Sequence, residues 1–309
     1  MKQEVKSSGG YRGNQISFGA NLVLNILMGI LAILTVLPLI LVITISLSSA
    51  ESIAYNGYSF FPSEWSLKAY TNLFRTGRAL LDSYMVTIFI SVAGTALSLL
   101  STSMFAFVLV HQRLKIRRFL SLYVFITTLF GGGLVPSYIL NVRYLHLHDT
   151  IWIFLLPALT GGFGIFILRT FIHASVPDTL LEAALIDGAN DWTIYWRIAM
   201  PLCKAGLATE ALFGFVGRWN DWFTGMLYID NPKLVPLQTL LQRIQQNLDF
   251  IKQNAELAGS RDGLELLKSI PTESTRMAIT LITIFPLLIA YPFFQKYFVK
   301  GITVGSVKG

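Results

Sequence analysis

The sequence predicts an all-α membrane protein of about six transmembrane helices, and three observations carry that prediction. Of 309 residues, 53% are hydrophobic and only 13% charged, and the mean hydropathy is +0.59, too apolar for a soluble domain of this size. Several apolar runs reach the ~20 residues that a helix needs to cross hydrocarbon. One very short link between two of them, His111 to Arg118, packs Arg113, Lys115, Arg117 and Arg118 together, and basic residues so close to a span resist translocation.

The spans follow in order. Residues 1–20 read as a polar, basic tail, and Leu22 to Leu47 is the first span, too long for a signal-peptide core and without a small-residue cleavage pattern. Ser48 to Asp82 turns polar, with Trp65, Tyr70 and Phe74 suited to an interfacial loop carrying a short surface helix. Ser83 to Val110 is the second span. Phe119 to Leu140 is the third, with Gly131, Gly132, Gly133 and Pro136 placed to break or kink its outer end. Ile151 to Phe171 is the fourth, containing Pro157 and the small residues Gly161, Gly162 and Gly164, where helices can approach closely. Ala205 to Leu227 is the fifth, Tyr228 to Thr272 an external segment of loops with helical turns, and Ser274 to Phe298 the sixth. The chain reads as one membrane domain over 21–300 with a short tail at 301–309. The basic loop marks the cytoplasmic side, and alternation then places both termini and the polar link 173–204 there as well. Net charge is +7, but the basic residues are scattered among short loops and form no stripe for nucleic acid. Cys203 is the single cysteine, so no internal disulfide is available.

Within that link, Ser175 with Asp178 three residues on reads as a capping box opening a helix. Leu181, Ala184, Leu185 and Ala189 recur at helical spacing, while Glu182 and Asp187 fall elsewhere on the wheel. The helix is expected to stop near Gly188. Asn190 and Asp191 can cap a second helix, Trp192 to Met200, which Pro201 terminates. On local pattern alone this is an amphipathic surface helix pair with a solvated Glu182, or a docking element for a soluble partner.

Glu182-Ala183-Ala184, three residues, Gly188, nine residues, Ile198, one residue and then Met200-Pro201 resembles the cytoplasmic EAA loop of ABC importer permeases, with Met200 in place of leucine. Trp219-Asn220-Asp221-Trp222, Gly132 to Pro136, and the ending Phe298-Val299-Lys300-Gly301 through Val307-Lys308-Gly309 look like the carbohydrate-uptake, maltose-permease-like family, in its complex-oligosaccharide branch. The resemblance covers nearly the whole chain. It implies a type I ABC importer permease in a bacterial inner membrane, with Glu182, Ala183, Ala184, Asp187 and Gly188 coupling to a nucleotide-binding subunit. It further implies a second homologous permease, two ATPase subunits that hold ATP and magnesium, an extracytoplasmic sugar-binding protein that Lys68, Arg75, Arg78 or the stretch from Lys233 to Glu273 could contact, and surrounding lipid.

Ionisable residues inside a span are costly, so Glu210, Arg218 and Asp221 should face other helices or water, with an Arg218–Asp221 pair open to them at helical spacing. Trp219, Asn220, Asp221 and Trp222 offer aromatic faces and hydrogen-bonding groups of the kind that hold sugar rings, and a structural network bracing a subunit interface is the competing reading. His146, His148 and Asp149 lie close together, but a closed metal site needs about four ligands, which favours a solvated loop. No Gly-x-x-x-x-Gly-Lys-Ser/Thr sequence, nucleophile elbow or His-Glu-x-x-His occurs. The chain is therefore expected to be a transport subunit without cofactor or catalysis of its own. An ion-gradient-driven secondary transporter, motivated by Glu210 and Asp221, is the alternative.

Overall fold

The computed structural model describes residues 17–76, 78–111, 114–253 and 272–305, so the expectations for most of the amino-terminal tail, Arg113, the last residues and the stretch 254–271 lie outside the described residues. The fold is helical, and one isolated bridge, Ser48 to Trp65, is the extended pairing seen among the described residues. Helix α1 (Phe18–Ser46) starts where the Ser17 hydroxyl accepts the Ala20 amide at 3.3 Å. Its apolar side chains are exposed until the last turn, where Thr44, Ile45 and Ser46 become buried. A cylinder with so much uncovered hydrocarbon is stable only in an apolar solvent. Two short helices, α2 (Ala50–Asn56) and α3 (Lys68–Thr76), occupy the loop that was expected to hold one.

The central element is α4 (Arg78–Val110), 33 residues and about 50 Å long. It begins before the expected Ser83. Its buried stripe holds Ser83, Thr87, Ser91, Ser98, Thr102 and Ser103, small residues that let neighbouring backbones approach. Some of their hydroxyls return to the helix itself, as Thr87 does to the Ser83 carbonyl at 2.9 Å.

The third span is broken, as its glycines predict. Helix α5 (Arg117–Leu129) gives way to an extended turn with Gly133 at φ +85°. Helix α6 (Leu134–Ile139) and a π turn at Leu140–Tyr144 then leave at 110° to α5. The fourth span is not the continuous helix expected over 151–171. A single turn, α7 (Trp152–Leu155), is separated by Pro157 and the glycine pair from α8 (Gly162–Ser175), because proline removes a ladder hydrogen bond and glycine leaves the turn unsupported.

Helix α9 (Asp178–Ile186), helix α10 (Asp191–Ile194) with a π turn at Tyr195–Ala199, and the short α11 (Met200–Leu202) make up the polar link. Helix α12 (Lys204–Trp219) leaves at 82° to that link. It stops at Trp219, short of the predicted Leu227, and α13 (Phe223–Tyr228) follows a break. The segment expected to be external is more regular than its sequence suggests: a 3-10 turn at Pro232–Leu234 precedes α14 (Leu237–Gln253), 17 residues long. Helix α15 (Glu273–Gly305) closes the fold with Pro286 and Pro292 inside it. Among the described residues three helices are long and apolar enough to cross a membrane, and two bent pairs raise that to five. The apolar α8 (Gly162–Ser175) is shorter, and several of the expected spans are interrupted.

Three apolar clusters fix the arrangement. One, at the carboxyl end of α4, joins Ala106, Leu109, Leu168, Ile172, Ile194 and Ala199 and seats the polar link. The others gather nearer the amino end of α4, around Ile90, Phe154 and Ile229 and around Leu73, Leu237 and Ile279.

Candidate functional site

The link between α8 and α12 is built by its punctuation. Ser175 is the last residue of α8 and caps nothing; Pro177 takes the cap position of α9, with Val176 held extended at φ −117°. The predicted capping box is thereby corrected, since a residue before proline is pushed out of the helical region. Helix α9 ends in a complete left-handed cap. The Ala189 amide donates to the Ala184 carbonyl at 2.9 Å, the Gly188 amide to Leu185 at 3.1 Å, and Gly188 sits at φ +81°. Asn190 then caps α10, its Oδ1 accepting the Thr193 amide at 2.8 Å. Pro201 does not end this helix: the chain stays helical to Leu202 and turns at Cys203. The π turn precedes Pro201, which has no N–H to give the Arg197 carbonyl.

The link is held on one side and open on the other. Ala184 is buried, and Leu181 and Leu185 pack beside it on the α4–α8 core. Ala184 therefore faces its own bundle, a correction to its predicted place on a docking face, because the apolar stripe of α9 points inward. Glu182, Ala183, Asp187 and Gly188 are exposed, and Ile186 is 86% exposed. Tyr195 is buried and lies 2.7 Å from the Ser103 hydroxyl. The Ser103 proton is already given to the Leu100 carbonyl at 3.0 Å, so Tyr195 is the donor. His111 Nε2 lies 3.0 Å from Asp191 Oδ1, and Phe107 meets Tyr195 edge-on at 5.5 Å. Sequence reasoning passed over Ile186, Tyr195 and His111. Tyr195 and His111 lie 92 and 80 residues from their partners, and local pattern carries no signal over such separations.

A second feature is an open groove of about 640 Å³ against α12, lined by Phe154, Phe163, Glu210, Phe213, Arg218 and Asp221. Its charged side chains lie over glycines. A Cβ on Gly164 would meet Glu210 Oε1 at 2.2 Å, and one on Gly94 would meet Arg218 Nε at 2.5 Å. Arg218 donates to the Ala158 carbonyl at 2.7 Å and to Gly214 at 3.2 Å, while its buried Nε has no partner. The expected Arg218–Asp221 pair is not formed, because α12 ends at Trp219 and the helical spacing ends with it. Asp221 instead accepts the Thr224 amide at 3.0 Å and starts α13.

The four residues at the break divide. Trp219 is 1% exposed, gives its indole N–H to the Thr283 carbonyl at 3.1 Å and stacks on Phe215. It packs α12 against α15, which removes it from a path-lining role. Asn220 and Trp222 are exposed and Asp221 faces the groove. Asn220 accepts Gln238 Nε2 at 3.3 Å.

The His146–Asp149 turn is a partly exposed loop that is also anchored to the rest of the chain. Asp149 Oδ1 accepts the amides of Asp230 and Asn231 at 3.1 and 2.7 Å, tying this turn to the chain after α13, and His148 lies 3.7 Å from Asp230. Among the described residues no three His, Cys, Asp or Glu side chains gather to hold a metal.

Apolar helices around a charged groove, with an outward-facing helix pair at one end, define a membrane transport subunit. The family model of the binding-protein-dependent transport system inner membrane component matches residues 69–304, and the chain belongs to that family. It is therefore a bacterial membrane protein and the permease of an ABC importer, working with a substrate-binding protein and ATPase partners. It is 37% identical to Protein LplC of Bacillus subtilis over 93% of this chain and 94% of that one. It is also 34% identical to the polygalacturonan/rhamnogalacturonan transport system permease protein YtcP of the same organism, over 90% and 94%. A solved bacterial ABC transporter involved in the import of the acidic polysaccharide alginate matches with a TM-score of 0.77 and 30% identity, over 90% of this chain and 96% of that one. Membership sets aside the ion-gradient alternative.

Proposed function

We propose that this chain is one of two homologous permeases that together form the membrane path for oligosaccharides, with both of its termini in the cytoplasm. Two ATPase subunits, which bind ATP and magnesium, grip the link between α8 and α12, and an extracytoplasmic sugar-binding protein delivers substrate to the opposite end. The chain passes the bilayer several times and is sealed by lipid along α1, whose exposed apolar face supports that placement. Relatives named for polygalacturonan, rhamnogalacturonan and arabinooligosaccharides support a saccharide cargo.

The observation that carries the coupling reading is the two-sidedness of α9. Its apolar stripe is seated on the bundle while Glu182, Ala183, Ile186, Asp187 and Gly188 face outward. One exposed carboxylate among small and apolar groups suits a groove with a basic residue on the ATPase. Motion of that partner would be transmitted through Ala184, Tyr195 and His111 into α4. Asn220, Asp221 and Trp222 line the path with the groove charges Glu210 and Arg218.

Glu182→Lys tests this. In proteoliposomes holding the whole importer, ATP-dependent uptake of trigalacturonate or arabinotriose should fall at least tenfold and less ATPase should co-purify. Full uptake with an intact complex would overturn the coupling assignment.

A further inference from the structure

The break between α12 and α13 borders a second cavity, since Asp221 lines the groove and the adjacent Trp222 lines this one. About 240 Å³ in volume, it is lined by Trp222, Gln238, Gln242, Gln245, Arg276 and Met277. That is below the roughly 300–1,000 Å³ of a site for a drug-sized ligand and suits one sugar ring rather than a chain. The glutamines fall at i, i+4 and i+7 of α14 and share one face. All three are only partly exposed, whereas a half-covered helix face is ordinarily apolar.

Their hydrogen bonds separate structural from available groups. Gln245 is committed at both ends, its Oε1 to Arg276 and its Nε2 to Asp249 at 2.9 Å. Arg276 in turn holds both Glu273 carboxylate oxygens, at 2.9 and 3.0 Å. The one cation in the lining is therefore already neutralised. Gln238 gives its amide N–H to Asn220 and keeps its carbonyl free, and Gln242 makes no hydrogen bond to a described residue. Trp222 adds a ring 40% exposed.

The geometry points to a saccharide-ring site at this mouth: Trp222 stacks on the C–H face of one pyranose or furanose unit while Gln238 and Gln242 bridge its hydroxyls. A planar amide both gives and accepts, which matches neighbouring hydroxyls, and an aromatic face matches the apolar side of the ring. Because Glu273 occupies Arg276, hydroxyls rather than a carboxylate are recognised, and neutral and uronic sugars are both admitted. Asp221 faces the groove and Trp222 this pocket, so the single break serves both cavities and would pass the ring inward.

The inference rests on the saccharide-import reading, and the test keeps the two apart. Uptake of arabinotriose and trigalacturonate is measured over a concentration series in the reconstituted complex. Trp222→Ala should raise KM about fivefold and Gln242→Ala about threefold for either sugar, with Trp222→Phe within twofold of the parent. An unchanged KM in Gln242→Ala and Trp222→Ala, a fall in kcat alone, or loss of the second permease from the Trp222→Ala complex would overturn the site and leave the import reading standing. A parent complex that assembles, hydrolyses ATP and takes up neither sugar would overturn the import reading and the site with it.

Discussion

Replacing Gly188 separates a backbone requirement from a contact requirement at the link proposed to couple to the ATPase. The residue sits at φ +81°, and a Cβ added there meets nothing within 4 Å. Alanine therefore encounters no clash, and its cost is the left-handed conformation alone, about 1–2 kcal/mol, or about five- to thirtyfold in the population of the intact cap. Loss of that cap frees the Ala184 and Leu185 carbonyls and the turn that sets α9 against α10. Asparagine is larger than alanine but tolerates the left-handed region better. Gly188→Asn should thus retain more ATPase co-purification and more uptake than Gly188→Ala, with Gly188→Val lowest. A ranking by side-chain size, with Asn below Ala, would refute the backbone argument and assign Gly188 to close packing against the partner.

Four further substitutions probe the bundle. Gly206→Ala puts a Cβ 2.6 to 2.9 Å from the Phe171 side chain, including its stem, where little can give; destabilisation of about 1–3 kcal/mol is expected. Gly217→Ala on the same helix meets nothing within 4 Å and should gain about 0.5–1 kcal/mol, so a thermal melt of the two variants must move in opposite directions. Trp219→Phe deletes the bond to Thr283 and leaves part of the buried indole volume empty, lowering stability by about 2–3 kcal/mol in the same melt. Tyr195→Phe leaves Ser103 with its Leu100 acceptor and should cost about 0.5–1.5 kcal/mol, read as weaker coupling of ATP hydrolysis to uptake, since Tyr195 ties the link to α4.

Legibility followed the range of the forces involved. Hydrophobic run length placed α1, α4 and α15 closely, because desolvation acts on composition. The glycine stop at 188 and the Asn190 cap were equally readable, since their chemistry lies within four residues. Misreadings arose where two local signals competed. Ser175 and Asp178 carry the letters of a capping box, yet Pro177 between them dictates the break. Trp219 and Trp222 are alike in composition, and only tertiary packing against Thr283 buries one and leaves the other half open. The Arg218–Asp221 pair failed because it assumed a helix through residue 221, and no strong breaker marks the end at Trp219.

If the coupling proposal holds, helix α12 is the element that would join the two ends of this permease, because it runs from the link at Cys203 to the break at Asn220. It turns 82° from the link at Cys203 and breaks again at Asn220, so it is a rod of 16 residues, about 24 Å, free of helical continuity at either end. Along its length it is keyed by close approaches rather than by long side chains: Gly206 against Phe171, Glu210 over Gly164, Arg218 over Gly94. Such keys resist rotation, because turning the rod drives a charged or aromatic group into backbone, while tilting leaves each pair nested. On the coupling proposal, a displacement imposed at Cys203 would reach the break at 220–222 as a tilt, moving Asp221 in the groove and Trp222 in the second cavity together. The glycines opposite Glu210 and Arg218 keep those charges with the moving helix, so the groove changes shape without breaking an ion pair.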